Sequence, residues 1–482
     1  MRLISGNGGG GPKPSAFGDS IGVRLNPQIA ISGVYGLRSN TQTFIATGGS
    51  AGTSGSEIIL QTGTSVGGYA VVWSRRPLVY QPGAGAECRI TGRFTSPVAL
   101  SLQAVGMFSS INGMFFGYNG TSFGVMHRYG GGIEIRELTI TAASGSSATA
   151  TVTLNGVAYT AAVTNTTAEQ NAHQIADGLL AGAAGLLWEI QAVGATVVFQ
   201  FKGAGAKSGA YSLSVNTGTL AGNIVQDIAG ATPTETWTAQ ADWNVSVAAW
   251  LDTTKGNIFK LEYAFLGYGP LKFSAFNPAS RDFELVHVVD WTNANTQTNF
   301  NNPSMRPGWV AASLGSTTNL TVVGGSAMGA IQGESVRPRP FGHSASQAAV
   351  TTEAPVMTIQ VRREFNNRAL NGVARMTSLS LATDGTKGAI FRVYVNASLT
   401  GPTQWEYDDK NESIMLVDST STGVSGGDVL GQYVVGPSGS ATIGVSDIDL
   451  ELIPGDTLTI TAERVSGAAA DMAASATWGE YI

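Results

Sequence analysis

Cysteine is almost missing from this 482-residue sequence. Cys88 is the single one, so no internal disulfide framework can form. Charge is scarce as well. Asp, Glu, Lys and Arg together make 12% of the chain, about half of the ~25% usual for soluble domains, and the formal net charge is -6. Without clustered Lys and Arg to meet phosphates, nucleic acid is excluded as a main partner. No run reaches the ~18 apolar residues of a membrane helix, so membrane insertion is not expected. The opening Met1-Arg2-Leu3-Ile4-Ser5-Gly6 has no apolar segment of secretory-signal length. Histidine is rare: His127, His173, His287 and His343 are the four, and no two stand at metal-ligand spacing. Neither a cofactor nor a metal is assigned on this basis.

What is abundant is glycine, 63 residues, set among Ser, Thr and β-branched side chains. The hydrophobic share of 43% is enough for packed cores. Residues 1–40 are read as a flexible arm and attachment region, because Gly8-Gly9-Gly10-Gly11-Pro12-Lys13-Pro14 can hold neither a helix nor a central strand. Residues 41–137 carry short β segments punctuated by glycine, such as Tyr69–Trp73 and Ile133–Arg136, and read as the first part of a β-sandwich. Residues 138–231 differ. Thr151–Thr160 turns at Asn155-Gly156 as a hairpin, and Thr166 with Glu169 makes a capping box. Ala168, Ala172, Ile175, Ala176 and Leu179 then follow at helical spacing, and Val197–Phe201 and Tyr211–Val215 return to strand. This is a small inserted α+β module. Residues 232–345 resume alternating strands, with Phe259, Leu261, Tyr263 and Phe265 on one face, and end in the linker Ser335–Pro340. Residues 346–482 hold the strands Met357–Val361, Arg375–Leu381, Ile390–Val395, Ile448–Leu452 and Thr457–Thr461, a C-terminal β-sandwich. The fold class is mainly β: antiparallel, jelly-roll-like β-sandwich domains with one small inserted α+β module.

Chemistry is sought where reactive groups could meet. Gly130-Gly131-Gly132 lacks the Lys-Ser/Thr of a phosphate loop, and Gly52-Thr53-Ser54-Gly55 falls short of a nucleophile elbow. Two acidic groups suit glycan cleavage or calcium: Asp447, Asp449 and Glu451 on one strand face, and Asp408, Asp409 and Glu412 in a loop after Trp405 and Tyr407. A solvated face and an exposed loop are the competing readings. His127-Arg128-Tyr129 enters the glycine run as three polar-tipped side chains, whereas His173 sits on a helix surface and His287 in a strand alternation. Trp405, Tyr407, Trp291, Trp309, Tyr118 and Phe123 stand in or beside polar segments, where exposed rings suit sugars or protein partners and edge-of-core rings are equally expected. Trp405, Tyr407, Asp408 and Asp409 are the candidate glycan or partner contacts; no catalytic residue is assigned.

Four C-terminal runs, Met376–Lys387, Phe391–Gly401, Asp418–Ser421 and Ile453–Thr459, resemble terminal β-sandwich domains of virion fibre and tail-associated proteins of tailed bacteriophages. The segment Val152–Val215 is similar to small α+β modules of phage structural proteins, and Phe115–Thr121 with Gly124–Arg128 also resembles such sequence. The likeness matches no active-site motif. It implies a virion structural protein (fibre, tail-associated or head-decorating), assembled in host cytoplasm and not an enzyme. Its implied partners are identical subunits, a trimer by analogy with fibres, and other virion proteins. A receptor- or glycan-binding adhesin is the alternative, and a polysaccharide depolymerase the weaker one.

Overall fold

The computed structural model describes residues 25–333, 338–444 and 450–482. These form two compact units, one within Met1–Gly130 and Pro233–Val336, the other within Gly131–Thr232 and Arg337–Ile482. The chain is mainly β, built of antiparallel sheets, with two α-helices, Ala168–Ala181 and Ala184–Leu187, among the described residues.

The first unit follows from strands with alternating apolar side chains that pair far apart in sequence. Eight of them, in chain order, are Leu25–Ser32, Tyr69–Ser74, Gly85–Phe94, Ser101–Phe108, Gly113–Asn119, Asn257–Tyr263, Arg306–Ser313 and Ser326–Gln332. One sheet runs first, eighth, third, sixth; the other runs second, seventh, fourth, fifth. That interleaving is a jelly roll. Leu271–Asn277 and Asp282–Val289 extend one sheet, and Ser122–Tyr129 and Thr234–Ala239 extend the other. The core lies between the sheets, where Phe116 from one stacks on Phe259 from the other with ring centroids 4.5 Å apart. Trp309 is fully buried and donates its Nε1–H to the Thr91 carbonyl at 2.8 Å. Its ring passes so close to the chain that a Cβ at Gly324 would stand 2.0 Å from Nε1, which only glycine allows.

Leu25–Ser32 corrects the expected arm. This stretch is an ordered strand paired with Ser326–Gln332 from Leu25↔Gln332 to Ser32↔Ser326, because Ile29 and Ile31 enter the core. The Gly8–Pro14 run lies outside the described residues.

The second unit contains the α+β module and the C-terminal sandwich together. The module leaves and re-enters the first unit's sequence at paired positions, Tyr129 opposite Thr234. Its hairpin turns at Asn155 and Gly156, both at positive φ, so Leu154 faces Val157 as the Asn-Gly signal predicts. The helix cap is Thr167, not Thr166: Thr167 accepts the Gln170 N–H, one residue along from the expected pair. Asn171, Ala172, Ile175, Ala176 and Leu179 form its buried face against the module's sheets.

The C-terminal sandwich repeats the jelly-roll order. Its eight strands are Arg339–Val350, Ala354–Val361, Val373–Thr383, Ala389–Val395, Asp428–Val435, Ser440–Gly444, Thr457–Arg464 and Ala470–Tyr481. The sheets again read first, eighth, third, sixth and second, seventh, fourth, fifth. Glu406–Tyr407 and Met415–Asp418 are added beside Ala354–Val361. Arg339–Val350 pairs with Ala470–Tyr481, so this sandwich begins inside the stretch expected to be linker.

Candidate functional site

The loop chosen from the sequence lies beside the seam between the module and the C-terminal sandwich, inside the second unit. The seam arises from strand alternation. In Trp188–Val193, the side chains Trp188, Ile190 and Ala192 enter the module's core, so Glu189, Gln191 and Val193 face the other way. Gln191 donates to Gln360 Oε1 at 2.8 Å, and its own Oε1 accepts the Arg363 N–H at 2.9 Å. Arg363 pairs with Glu189. Val193 packs with Trp405 and Leu416, and the Gly194 N–H donates to the Trp405 carbonyl at 2.7 Å.

Trp405 is therefore a seam residue. It is 6% exposed, which removes its indole as a stacking platform for sugar. Tyr407 is half-buried, with the Arg362 guanidinium 4.5 Å from its ring centre, and burial pushes its hydroxyl pKa up. Asp408 takes a hydrogen bond with His343 Nδ1 at 2.9 Å. Asp409 caps its own turn by accepting the N–H groups of Asn411 and Glu412, and Glu412 pairs with Arg339. The three carboxylates thus face three different partners. Asp447 and Asp449 lie outside the described residues; Glu451 sits in the short strand Glu451–Leu452. Among the described residues, no three His, Cys, Asp or Glu side chains converge on a point that could hold a metal.

Charge accumulates at the seam instead. Burial, then the carboxylates of Asp227 and Glu364, raise the Glu137 pKa, with Lys410 opposing. Arg362, 4% exposed, donates to the carbonyls of Lys410 and Ser413 and pairs with Glu364 at 3.5 Å. Sequence reading missed these groups. The signal was available: Glu-Ile-Gln-Ala-Val at 189–193 alternates polar and apolar, with Val193 ending the otherwise polar outward set.

The other candidates are structural in their contacts. His127 lies in the strand Ser122–Tyr129, not in a turn; its ring stacks on Tyr129 and meets Trp291 and Phe300 edge-on. Nε2 bonds the Asn299 carbonyl at 2.9 Å, and burial lowers the ring pKa to about 4, against the smaller pull of that hydrogen bond. His173 pairs with Asp177 one helical turn on, and His287 Nδ1 accepts the Asn244 N–H. Trp291, Trp309 and Phe123 are core residues, and the half-buried Tyr118 bonds Thr253 at 2.7 Å. Glu87 and Glu262, directly opposed on neighbouring strands, are engaged by Arg89 at 2.5 Å and Lys260 at 2.6 Å, with Gln332 donating to both.

Several large apolar side chains also stand exposed among the described residues. Tyr35 is 83% exposed, Leu186 77% and Val434 75%. In the first unit, Val66, Leu100 and Leu314 stand at 60–64% on loops at one end of the sandwich.

No family model matches the chain, and no curated protein matches it in sequence. Solved structures similar to it include that of infectious bursal disease virus, Gx strain, at 8% identity over 84% of this chain and 74% of that one, with a TM-score of 0.16. The VP2 subviral particle of the same virus gives 9% identity, 84% and 79% coverage and a TM-score of 0.14. Likeness at that level decides neither fold nor function.

Proposed function

We propose that this chain is a structural component of a virus particle that works through contacts with identical subunits and other virion proteins, not through bond-making. The observation that carries the reading is the pairing of two jelly rolls with large exposed apolar side chains on a surface poor in charge. Jelly rolls serve capsids, lectins and cupins alike, so the fold alone does not choose among them. The surface favours the first. Interface cores are depleted of charge, and large apolar side chains left in water mark contact sites. Within the particle, a fibre, tail-associated or head-decorating position of a tailed bacteriophage is the finer reading, with three-fold symmetry as first expectation and assembly in host cytoplasm.

The adhesin alternative needs rings other than Trp405, which is closed off in the seam. The depolymerase alternative needs a carboxylate pair other than Asp408 and Glu412, which face His343 and Arg339. Multi-angle light scattering of the purified chain tests the main reading. A stable oligomer of definite stoichiometry is expected; a chain that stays monomeric at micromolar concentration rejects it.

A further inference from the structure

The two jelly rolls differ at one place in their common plan. In the first unit the fifth strand, Gly113–Asn119, is covered by Ser122–Tyr129 and then Thr234–Ala239. The sixth, Asn257–Tyr263, is covered by Leu271–Asn277 and then Asp282–Val289. In the C-terminal sandwich the corresponding strands, Asp428–Val435 and Ser440–Gly444, end their sheets among the described residues. Asp428–Val435 pairs with Ala389–Val395 on one side, and among the described residues no other hydrogen bond reaches it. The backbone N–H and C=O groups on its other side therefore face water.

This edge also lacks the usual guards. The strands that close the same side of the first unit carry Glu235, and Asp282 with Glu284. The long edge strand Arg339–Val350 carries Arg339 and Pro340. Val429–Val435 holds neither charge nor proline, and Val429, Leu430 and Val434 are 47%, 39% and 75% exposed. A bulge falls at Leu430, where the register with Ala389–Val395 shifts, so the regular ladder runs over Gly431–Val435. An apolar strand edge left open in this way is a template for another extended strand.

We propose that Asp428–Val435 pairs antiparallel with the same strand of a second copy, about a two-fold axis at Gln432. The side chains select this occupant and this register. Self-pairing sets residues equally far from the axis opposite each other, so Leu430 meets the partner's Val434 and Gly431 the partner's Tyr433. Centring on Gly431 would oppose Val434 to Asp428, and centring on Tyr433 would oppose Leu430 to Gly436. About Gln432 no like charges meet, because Asp428 faces the partner's Gly436. Arg392 is the one charged residue of Ala389–Val395, and it pairs with Glu353 and Glu463 at 3.0 Å each. It would stand three strand spacings, about 14 Å, from its copy, beyond the screening length of ~8 Å at physiological salt. The proposal rests on the subunit-contact reading above and names the surface that makes the contact. Such a contact is two-fold, so in a three-fold assembly it joins one ring to another.

The test uses the full chain. Cys88, the single cysteine, is fully buried, so Gln432→Cys supplies the one accessible thiol. On the axis it stands opposite its own copy, within the ~4.4–6.8 Å between Cα atoms that a disulfide spans. Asp428→Cys, with glycine opposite, is the control. Under a mild thiol oxidant, Gln432→Cys is expected to give a covalent dimer on a non-reducing gel and Asp428→Cys is not. Leu430→Lys with Val434→Lys sets like charges opposite each other and should need at least about ten-fold more protein to assemble, read by light scattering. Leu430→Lys with Val434→Glu sets opposite charges together and should assemble more readily than the double lysine variant. All these positions are exposed, and the thermal melt checks that folding is kept. An oligomeric parent whose Gln432→Cys fails to cross-link, or whose double lysine variant assembles equally well, leaves the edge to a strand of another protein. That result overturns the proposal while the proposed function stands. Equal cross-linking at positions 428 and 432 marks random collision and also overturns it. A monomeric parent removes both.

Discussion

At the scale of single residues, buried polar groups are where this charge-poor chain is most exposed to perturbation. His127 takes up its proton at about 4 in the fold, against 6.5 for an ordinary imidazole. As pH falls below 6.5 the unfolded chain is protonated first, so this contribution to stability is complete above 6.5 and is lost progressively down to about 4. The full swing is about 3 kcal/mol by linkage. The first unit should therefore melt lower at pH 4.5 than at pH 7, and His127→Phe should flatten that slope; equal slopes would show the ring to be more accessible than its 3% exposure indicates. Glu480 offers a second case. Its carboxylate accepts from Ser413 Oγ at 2.7 Å, Ile414 N–H at 2.9 Å and Trp478 Nε1 at 2.8 Å, while burial pushes its pKa up. Glu480→Gln turns an NH2 toward these donors and should cost roughly 1–3 kcal/mol, measured by denaturant unfolding. Neither site was legible from sequence. His127 was read into a turn because Gly130–Gly132 follows it, yet the strand continues through Tyr129 before the glycines begin.

At the scale of elements, legibility follows periodicity. The Asn155-Gly156 hairpin was readable because two positive-φ positions in succession leave few other turns, and the helical face because its apolar spacing is local. The cap slipped by one residue since Thr166/Glu169 and Thr167/Gln170 both satisfy the capping pattern, and only the backbone at the helix start distinguishes them. Trp405 was misjudged for a different reason. Gln404 and Glu406 mark a polar loop, whereas the tryptophan's burial is set by Val193 from another part of the chain. Trp405→Ala should destabilise the second unit by roughly 3–5 kcal/mol. The Gly194 amide, held by the Trp405 carbonyl, should exchange faster with solvent. An unaltered melt and unaltered exchange would show that the seam contributes little. Glu137→Gln should act oppositely. Because its pKa is raised, the native carboxyl holds its proton to higher pH than the unfolded one, so its ionisation lowers stability as pH rises. The substitution should raise the melting temperature at pH 7 but not at pH 4.

At the scale of the whole molecule, the sheet order was the least visible feature. Pairings such as Arg339↔Glu480 and Leu25↔Gln332 join distant segments that share nothing but strand character, so the sequence supports jelly-roll-like sandwiches as a class while the strand order and register come from the structure. The second unit's make-up was equally hidden. The module reads as an insertion into the first sandwich, whereas the structure groups residues 131–232 with the C-terminal sandwich in the second unit, where its outward face packs on that sandwich. Asp408, Asp409 and Glu412 are engaged by His343, their own turn and Arg339, and the function proposed above is association between subunits. Cryo-electron microscopy of the purified full chain tests this most directly. Closed particles of one symmetry, in which jelly-roll surfaces of neighbouring copies touch, are expected; isolated single chains throughout the field would contradict subunit association.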